Sequence, residues 1–411
     1  MNLSYYIAKQ ISGNKQSTFS KFILRLATIA TALSVTVMII AISVVHGFKT
    51  KIREKMFVFW GHAQVSMFSA NPSSLIGDAP FPKDEQMIRD IRSVNEVQSV
   101  YPFILKPAIV KAEKGLEGIK LKGVAPGYPM NSSDAIQFSG KPIQYTDSGY
   151  SSDLVLSQAT MNRLDLAIGD AVFIVFFNPE QGNPTVRKLN VTGSFHTGME
   201  EVDKGFGLCD IRLLRAVNRW EDQDISALQI GLKDYRQSEA VSARIYQDYL
   251  QPPMSISTIK EIYPYIFSWL DFQNTNAALI LVIMGVVAAI NMATALLIYI
   301  LERTQMVGTL KALGMQNRQI RQVFLYHAAR VTLKGILWGT FSGVLLCWLQ
   351  LQFSLIKLDE SVYYMKTAPV ALNWLYILLV ALGTLAFCSL IMLLPALMVR
   401  KIKIVKALKF K

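Results

Sequence analysis

The chain has 411 residues, of which 52% are hydrophobic and only 17% charged, and its mean hydropathy is +0.31. That composition excludes an ordinary soluble enzyme and makes an integral membrane protein the default reading. Lys and Arg number 42 against 29 Asp and Glu, leaving +13, and in so apolar a chain this surplus points to basic loops beside lipid rather than to a nucleic-acid groove.

Residues 1–25 read as a cytoplasmic interfacial elbow. Leu3, Ile7 and Ile11 share a helical face, Tyr5 and Tyr6 suit the headgroup zone, and Lys9 faces water. Leu26–Phe48 lacks Asp, Glu, Lys and Arg and can cross a hydrocarbon core of about 30 Å, which takes about 20 helical residues. This sets a first transmembrane helix at 26–48. The run exceeds a signal-peptide h-region and no small-x-small site follows it, so the helix is expected to be retained.

Residues 49–271 have the composition of a folded α/β domain. His62–Phe68 alternates like a strand, Lys83–Val94 places Met87, Ile91 and Val94 at helical spacing, and Val97–Leu105 is β-rich, which gives a strand–helix–strand unit at 62–105. A second unit at 225–259 combines Ile225–Leu232, Arg236–Leu250 and Met254–Ile259, with Pro252 and Pro253 marking a turn. The two flank a β-richer middle. It contains Ile119–Val124, Leu154–Leu156 ahead of a short helix from Ser157, and Ala171–Phe177 and Val186–Phe195, joined across 178–184 by an exposed hairpin loop with two prolines and a glycine. Composition alone makes that loop a plain connection.

Phe272–Leu301 is again free of charge and gives a second transmembrane helix at 272–301, in which Asn291 is expected to hydrogen-bond as packing glue. The cytoplasmic loop 302–334 follows. Within it Met306, Val307, Leu310 and Leu313 are apolar at helical spacing, Lys311 lies near the C-terminal end and Gly314 suits the cap. The pattern predicts a short amphipathic helix parallel to the membrane, and by itself fits a helix resting on headgroups equally well. The third transmembrane helix is set at 335–353, where Gly335, Gly339 and Gly343 would let another helix of the same subunit approach closely. An outer loop at 354–372, a fourth transmembrane helix at 373–399 and a basic cytoplasmic tail at 400–411 complete the chain.

Charge sets the orientation. Segments 1–25, 302–334 and 400–411 carry +4, +5 and +6, more than the whole chain's +13, so the remainder is net −2. Four crossings put these three segments on one side, which the positive-inside rule makes cytoplasmic. Both termini are then inside, and 49–271 faces outward.

Catalytic patterns are missing from the sequence. There is no Gly-x-x-x-x-Gly-Lys-Ser/Thr phosphate loop, no Gly-x-Ser-x-Gly elbow, no His-x-x-x-His and no Cys-x-x-Cys. His46, His62, His196 and His327 are scattered, and each reads as a surface or packing residue. Cys209 stands alone in the outer segment while Cys347 and Cys388 fall in spans, so no disulfide is expected outside. The chain is expected to be no enzyme, with no catalytic residues and no metal.

The run 302–314, Glu-Arg-Thr-Gln-Met-Val-Gly-Thr-Leu-Lys-Ala-Leu-Gly, resembles the cytoplasmic coupling helix of the FtsX/MacB family of ABC-transporter permeases, in its LolC/LolE branch. Val307, Gly308, Leu310, Lys311 and Gly314 keep the family pattern, while Met306 stands at a commonly acidic place. Ser43-Val44-Val45-His46-Gly47-Phe48 is similar to the end of the branch's first span, with His46 where Asn is usual. Ala288-Ala289-Ile290-Asn291 resembles its second helix, and Pro395-Ala396, Arg400 and Ala407-Leu408 resemble its C-terminal signature, with Ile404 where Pro is common.

The resemblance implies an integral membrane α-helical protein of the bacterial inner membrane, MacB-like, with four transmembrane helices and a large α/β periplasmic domain between the first and second. It implies the permease subunit of an ATP-driven complex that extracts lipoproteins by mechanotransmission and hands them to a periplasmic carrier. Few ionisable groups in the spans fit that better than an aqueous channel. Implied partners are a LolD-like ATPase dimer, a second permease subunit (the same chain or a sister), a lipoprotein, a LolA-like carrier and membrane lipid, with no nucleic acid. ATP and Mg would sit on the ATPase, and this chain would bind no cofactor.

By the same resemblance, Arg303, Thr304, Met306, Val307, Gly308, Leu310, Lys311, Leu313 and Gly314 would couple to the ATPase. Ile40, Val44 and Phe48, with Ile280 and Met284 opposite, would meet acyl chains, and Pro179, Glu180, Gln181 and Pro184 would meet the carrier. Rival readings are a MacB-type exporter permease and an FtsX-type signal coupler that activates a cell-wall hydrolase.

Overall fold

Our computed structural model describes residues 18–68, 79–130, 135–177 and 183–401. The chain divides into two units: one holds the chain up to Lys49, Leu270–Ile356 and the chain from Thr367 on, and the other holds Thr50–Trp269 with Lys357–Lys366. The elbow expected at the N-terminus falls largely on residues 1–17, and most of the basic tail on 402–411, outside the described residues.

Among the described residues four helices are long and apolar enough to cross a membrane, spanning Phe22–Trp60, Pro264–Glu302, Asn317–Phe353 and Trp374–Arg400, and the first unit holds most of each. The first long helix runs Thr18–Trp60, well past the apolar run that ends at Phe48. The charged stretch after Phe48 consists mainly of good helix formers, and nothing halts the helix before Gly61. That residue has φ +76°, and a Cβ on it would come within 2.6 Å of the Gln229 side chain and 2.8 Å of the Ile230 carbonyl oxygen. Only glycine meets both demands.

The second long helix begins at Pro264, a residue suited to a helix start because it has no N–H to leave unpaired. The third, Asn317–Phe353, takes up most of the segment expected as a cytoplasmic loop. Its charged first half is helical because Ile320, Val323, Phe324, His327, Ala328 and Val331 recur at three- and four-residue intervals and are buried. The fourth breaks after Trp374–Ile391 and resumes as Leu393–Ala396. Pro395, lacking an N–H, cannot bond the carbonyl four residues earlier at Ile391.

The glycine row of the third helix packs against the first helix of the same chain. A Cβ on Gly335 would lie 2.8 Å from the Thr31 Cβ, one on Gly339 2.5 Å from the Ala32 carbonyl oxygen, and one on Gly343 3.1 Å from the Ile39 Cβ. The Thr36 hydroxyl, 2.6 Å from that of Ser342, adds a polar tie between the same two helices. Farther along, a Cβ on Gly47 would meet the Pro369 carbonyl oxygen at 2.7 Å, and the Ala371 N–H donates to the Ser43 carbonyl at 3.0 Å. The small residues of the 43–48 motif thus admit the backbone that leads into the fourth helix.

The second unit is a mixed sheet of ten strands, with a two-stranded pair beside it. In chain order the strands are β1 Ala63–Met67, β2 Phe81–Pro82, β3 Val97–Ala112, β4 Gly115–Val124, β5 Gln137–Gly140, β6 Asp153–Ser157, β7 Ala171–Phe176, β8 Thr185–His196, β9 Phe206–Asp210, β10 Asp224–Ile225, β11 Ala227–Leu232 and β12 Met254–Thr258. The sheet order is β12-β1-β11-β3-β4-β9-β6-β8-β5, with β7 bridging β3 and β8, and β2 pairs with β10.

The two strand–helix–strand units do not merely flank the middle. With helices Glu85–Ser93 and Ser238–Tyr249 as crossovers, their strands alternate as β12-β1-β11-β3, a split βαβ arrangement. The 16-residue β3 then carries the sheet on into the middle through β4. One apolar core runs beneath all of it, from Val65 and Ile91 to Leu156, Ile174 and Leu214.

Because Gly339 sits against backbone, Gly339→Leu overpacks the first helix. Such substitutions cost about 1–3 kcal/mol; a lower thermal midpoint in detergent is expected, and an unchanged one refutes the packing.

Candidate functional site

The helix Thr304–Ala312 joins the second and third long helices. Leu313 caps it, Gly314 follows with φ +88°, the Met315 N–H donates to the Leu310 carbonyl and the Gly314 N–H to that of Lys311, both at 3.0 Å. This Schellman closure requires the positive φ that glycine supplies. Arg303 occupies the N-cap without a side-chain cap bond, and the Thr304 hydroxyl bonds the Leu301 carbonyl.

Burial divides the expected coupling residues. Val307 and Gly308 are buried, and Met306 and Leu310 are half-buried against a cluster that includes Ile300, Ile320, Phe324 and Val399. Lys311 donates to the Val399 carbonyl at 2.8 Å, and partial burial lowers its pKa below the ordinary lysine value. Leu313 is the exception to the expected apolar stripe: it is 78% exposed, because it lies past the last helical turn. Gln305 and Thr309, four residues apart, are exposed on the helix, and Leu313 is exposed just past it. Sequence reasoning missed Gln305 and Thr309, although their polar character opposite the apolar stripe was the available signal.

In the second unit, the last turn of the first long helix is fastened to the sheet by Lys122 of β4. This side chain is fully buried, and its Nζ donates to the Phe59 carbonyl at 2.5 Å, to Gln229 Oε1 at 2.8 Å and to the Tyr128 hydroxyl at 3.1 Å. Three acceptors use its three donors. The rings of Phe59, Trp60, Phe103 and Tyr128 surround the nitrogen with centroids 4.8–5.0 Å away, as in cation–π contacts. Burial pushes its pKa well below the usual lysine value. Nothing in the sequence distinguished Lys122 from the other lysines; only the strand register turns it inward.

Two further fastenings lie one in each unit. In the first, Lys49 of the first helix, 8% exposed, reaches Asn274 Oδ1 at 2.9 Å and Asp271 Oδ1 at 3.3 Å on the second helix. In the second, the segment 357–366 is held by His196, whose Nε2 is 2.7 Å from Glu360 and whose Nδ1 is 3.0 Å from Asp203. The hydrogen bond with Asp203 raises the His196 pKa, burial opposes this, and the bond with Glu360 adds to the rise. Lys55 Nζ donates to the Tyr364 carbonyl at 2.6 Å, and the Tyr364 hydroxyl to Glu201 at 3.0 Å.

The other histidines pack. His62 accepts the Leu232 N–H at 3.0 Å and stacks on Phe57, His46 meets the edge of Tyr376, and His327 stacks on Tyr299. Burial lowers the His62 pKa to about 4, so it is neutral at physiological pH. Among the described residues no cluster of His, Cys, Asp and Glu could hold a metal, and Cys209, Cys347 and Cys388 are free thiols.

Of the expected acyl-chain residues, Phe48 is buried, Ile40 and Val44 are half-buried and Ile280 is exposed. Met284 packs within this chain against the cluster of Val35, Met38 and Ile39. Among the expected carrier residues, Pro179, Glu180 and Gln181 lie outside the described residues, while Pro184 is described and exposed. Beside it the hairpin of β7 and β8 exposes Phe173, Phe177 and Val186.

Comparison with known proteins finds a match to the MacB-like periplasmic core domain over residues 25–247 and to the FtsX-like permease C-terminal over residues 278–404. The chain is similar to the lipoprotein-releasing system transmembrane protein LolC of Xylella fastidiosa strain Temecula1, at 22% identity over 100% of this chain and 98% of that one. It is similar to LolE of Haemophilus influenzae at 20% identity, covering 96% of each. Among solved structures, the periplasmic region of MacB from Actinobacillus actinomycetemcomitans matches at 11% identity and a TM-score of 0.36, over 50% of this chain and 91% of that one.

Lys122→Met leaves the Gln229 side chain buried without that donor, at about 1–3 kcal/mol for such an orphan, while the Phe59 carbonyl keeps the Tyr128 hydroxyl at 3.2 Å; a reduced urea midpoint is expected, and an unchanged one refutes the fastening. For His196 the folded pKa lies above the unfolded value, so its stabilisation is complete below the ordinary histidine pKa and is lost as pH rises through the raised one. Hydrogen exchange across 357–366 should therefore quicken with pH in that window, beyond the intrinsic rise, and His196→Ala should remove the excess. A slope shared by both proteins contradicts this.

Proposed function

We propose that this chain, which belongs to the permease family joining a MacB-like periplasmic core domain to an FtsX-like C-terminal region, releases lipoproteins from the inner membrane as a subunit of an ABC complex. It is a multi-pass membrane permease with a periplasmic domain, and members of its family are generally non-catalytic. ATP and Mg belong, in this reading, to a LolD-like ATPase dimer, and a second permease subunit completes the membrane part. Both termini are cytoplasmic, as the three basic segments favour.

The observation that carries the reading is the continuity of the first long helix. Its 43 residues, about 65 Å at 1.5 Å each, pass from the apolar run to Trp60 without a break. Lys122 fixes the far end to the sheet, so displacement at the near end is delivered to the periplasmic domain. The ATPase pushes on Thr304–Ala312 at Gln305 and Thr309 and on Leu313 just past it, while Val307, Gly308 and Leu310 seat that helix on the bundle. Extraction needs such a drive, because each buried CH₂ of an acyl chain holds by about 0.8 kcal/mol.

Lipoprotein cargo is supported by likeness to LolC and LolE along nearly the whole length. Exposed Phe173, Phe177 and Val186 beside Pro184 make the hairpin the candidate dock for a LolA-like carrier. Depleting the protein in its host tests the cargo: lipoproteins accumulating in the inner membrane support release. Chaining cells with normally sorted lipoproteins would instead support an FtsX-type coupler, and loss of export of a periplasmic peptide or drug a MacB-type exporter.

Leu313→Lys should weaken copurification of the ATPase about ten-fold, the scale of an interface anchor, with thermal stability unchanged because the side chain is exposed. Undiminished ATPase binding would remove that face from the mechanism.

A further inference from the structure

Within the first unit, a cavity of about 570 Å³ lies between the start of the first long helix and the third. Binding sites for small ligands run from about 300 to 1,000 Å³. The first helix contributes Arg25, and the third contributes His327, Arg330 and Lys334; no Asp or Glu is among the described residues that line it. The lining is also graded. Along the first helix Arg25 gives way to Ile29, and along the third Arg330 and Lys334 give way to Trp338. At 1.5 Å per residue Ile29 lies about 6 Å beyond Arg25, and Trp338 about 6 Å beyond Lys334 and about 12 Å beyond Arg330. Ile29 and Trp338 are each 65% exposed on helices apolar enough to span a membrane, so the apolar end opens toward lipid.

A free anion would use only the cationic end. An amphiphile with an anionic head and hydrocarbon chains would use both. We propose that this cavity binds one anionic phospholipid, its phosphate held by Arg25, Arg330 and Lys334 and its chains running past Ile29 and Trp338. Basic pockets between membrane helices recognise such headgroups by charge together with depth. The site is distinct from the expected acyl-chain residues, which lie farther along the first helix from Ile40 on, and it serves a resident lipid of the leaflet at the helix start.

The test uses the full-length chain, purified and reconstituted in phosphatidylcholine nanodiscs containing phosphatidylglycerol, with retained lipid counted by native mass spectrometry. The wild type should keep one phosphatidylglycerol in preference to phosphatidylcholine. Arg25→Gln with Lys334→Gln should weaken that retention about thirty-fold, the effect of removing two basic side chains at headgroup level. Arg25→Lys with Lys334→Arg should retain it. Equal retention of the two lipids by the wild type overturns the proposal, as does undiminished retention in the glutamine variant. Displacement of the lipid by millimolar inorganic phosphate would make this a free-anion site and would overturn it too.

Discussion

A helix ends with carbonyl groups that no residue of its own can satisfy, and at the end of the first long helix one of them, on Phe59, is met by the buried amine of Lys122. This bond joins the Tyr128 hydroxyl and the burial of Phe59 and Trp60 in fixing the helix end to the domain. The helix terminus is the negative end of its dipole, so an amine placed there is favoured electrostatically as well as by hydrogen bonding. Four aromatic faces around the nitrogen offset part of its lost hydration without adding a carboxylate. Gly61 makes the arrangement possible, because any side chain at that point would strike Gln229, itself an acceptor for Lys122. Helix end, turn and sheet are thus specified together.

What was legible in the sequence follows from which forces act locally. The four apolar runs were visible because a bilayer demands about 20 uncharged residues in succession, and the glycine row of the third helix because small residues at four-residue spacing fall on one face. Helix ends were less legible: the first helix continues through Lys49–Lys55 and the third begins at Asn317, since charge marks the limit of hydrocarbon and not of helix. The interleaving of β12-β1-β11-β3 could not be read locally, because pairing of distant strands leaves no trace in either strand's own periodicity.

The candidate site was legible to the same degree. A 3.6-residue period predicts a helix with an apolar face, and Val307 and Leu310 supply it. Leu313 obeys the same spacing yet lies beyond the final turn, where the period no longer governs direction. Lys122 and Lys49 escaped notice, and His196 was read only as a surface or packing residue, because each acts through a partner distant in sequence: Phe59, Asp271 and Glu360 respectively. Isolated polar residues gain meaning only when the fold supplies the other half of the contact.

The distribution of these contacts bears on how displacement would travel. A residue that conserves the shape of the helix Thr304–Ala312 and one that meets a partner have opposite requirements, since the first must be buried against its own chain and the second must be left accessible. Val307 and Gly308 meet the first requirement; Gln305, Thr309 and Leu313 meet the second. Lys49, bridging Asp271 and Asn274, ties the first and second long helices to each other. The last turn of the first helix is in turn fastened to the sheet by Lys122. These ties are made by a few polar side chains, while the spans pack largely through apolar ones.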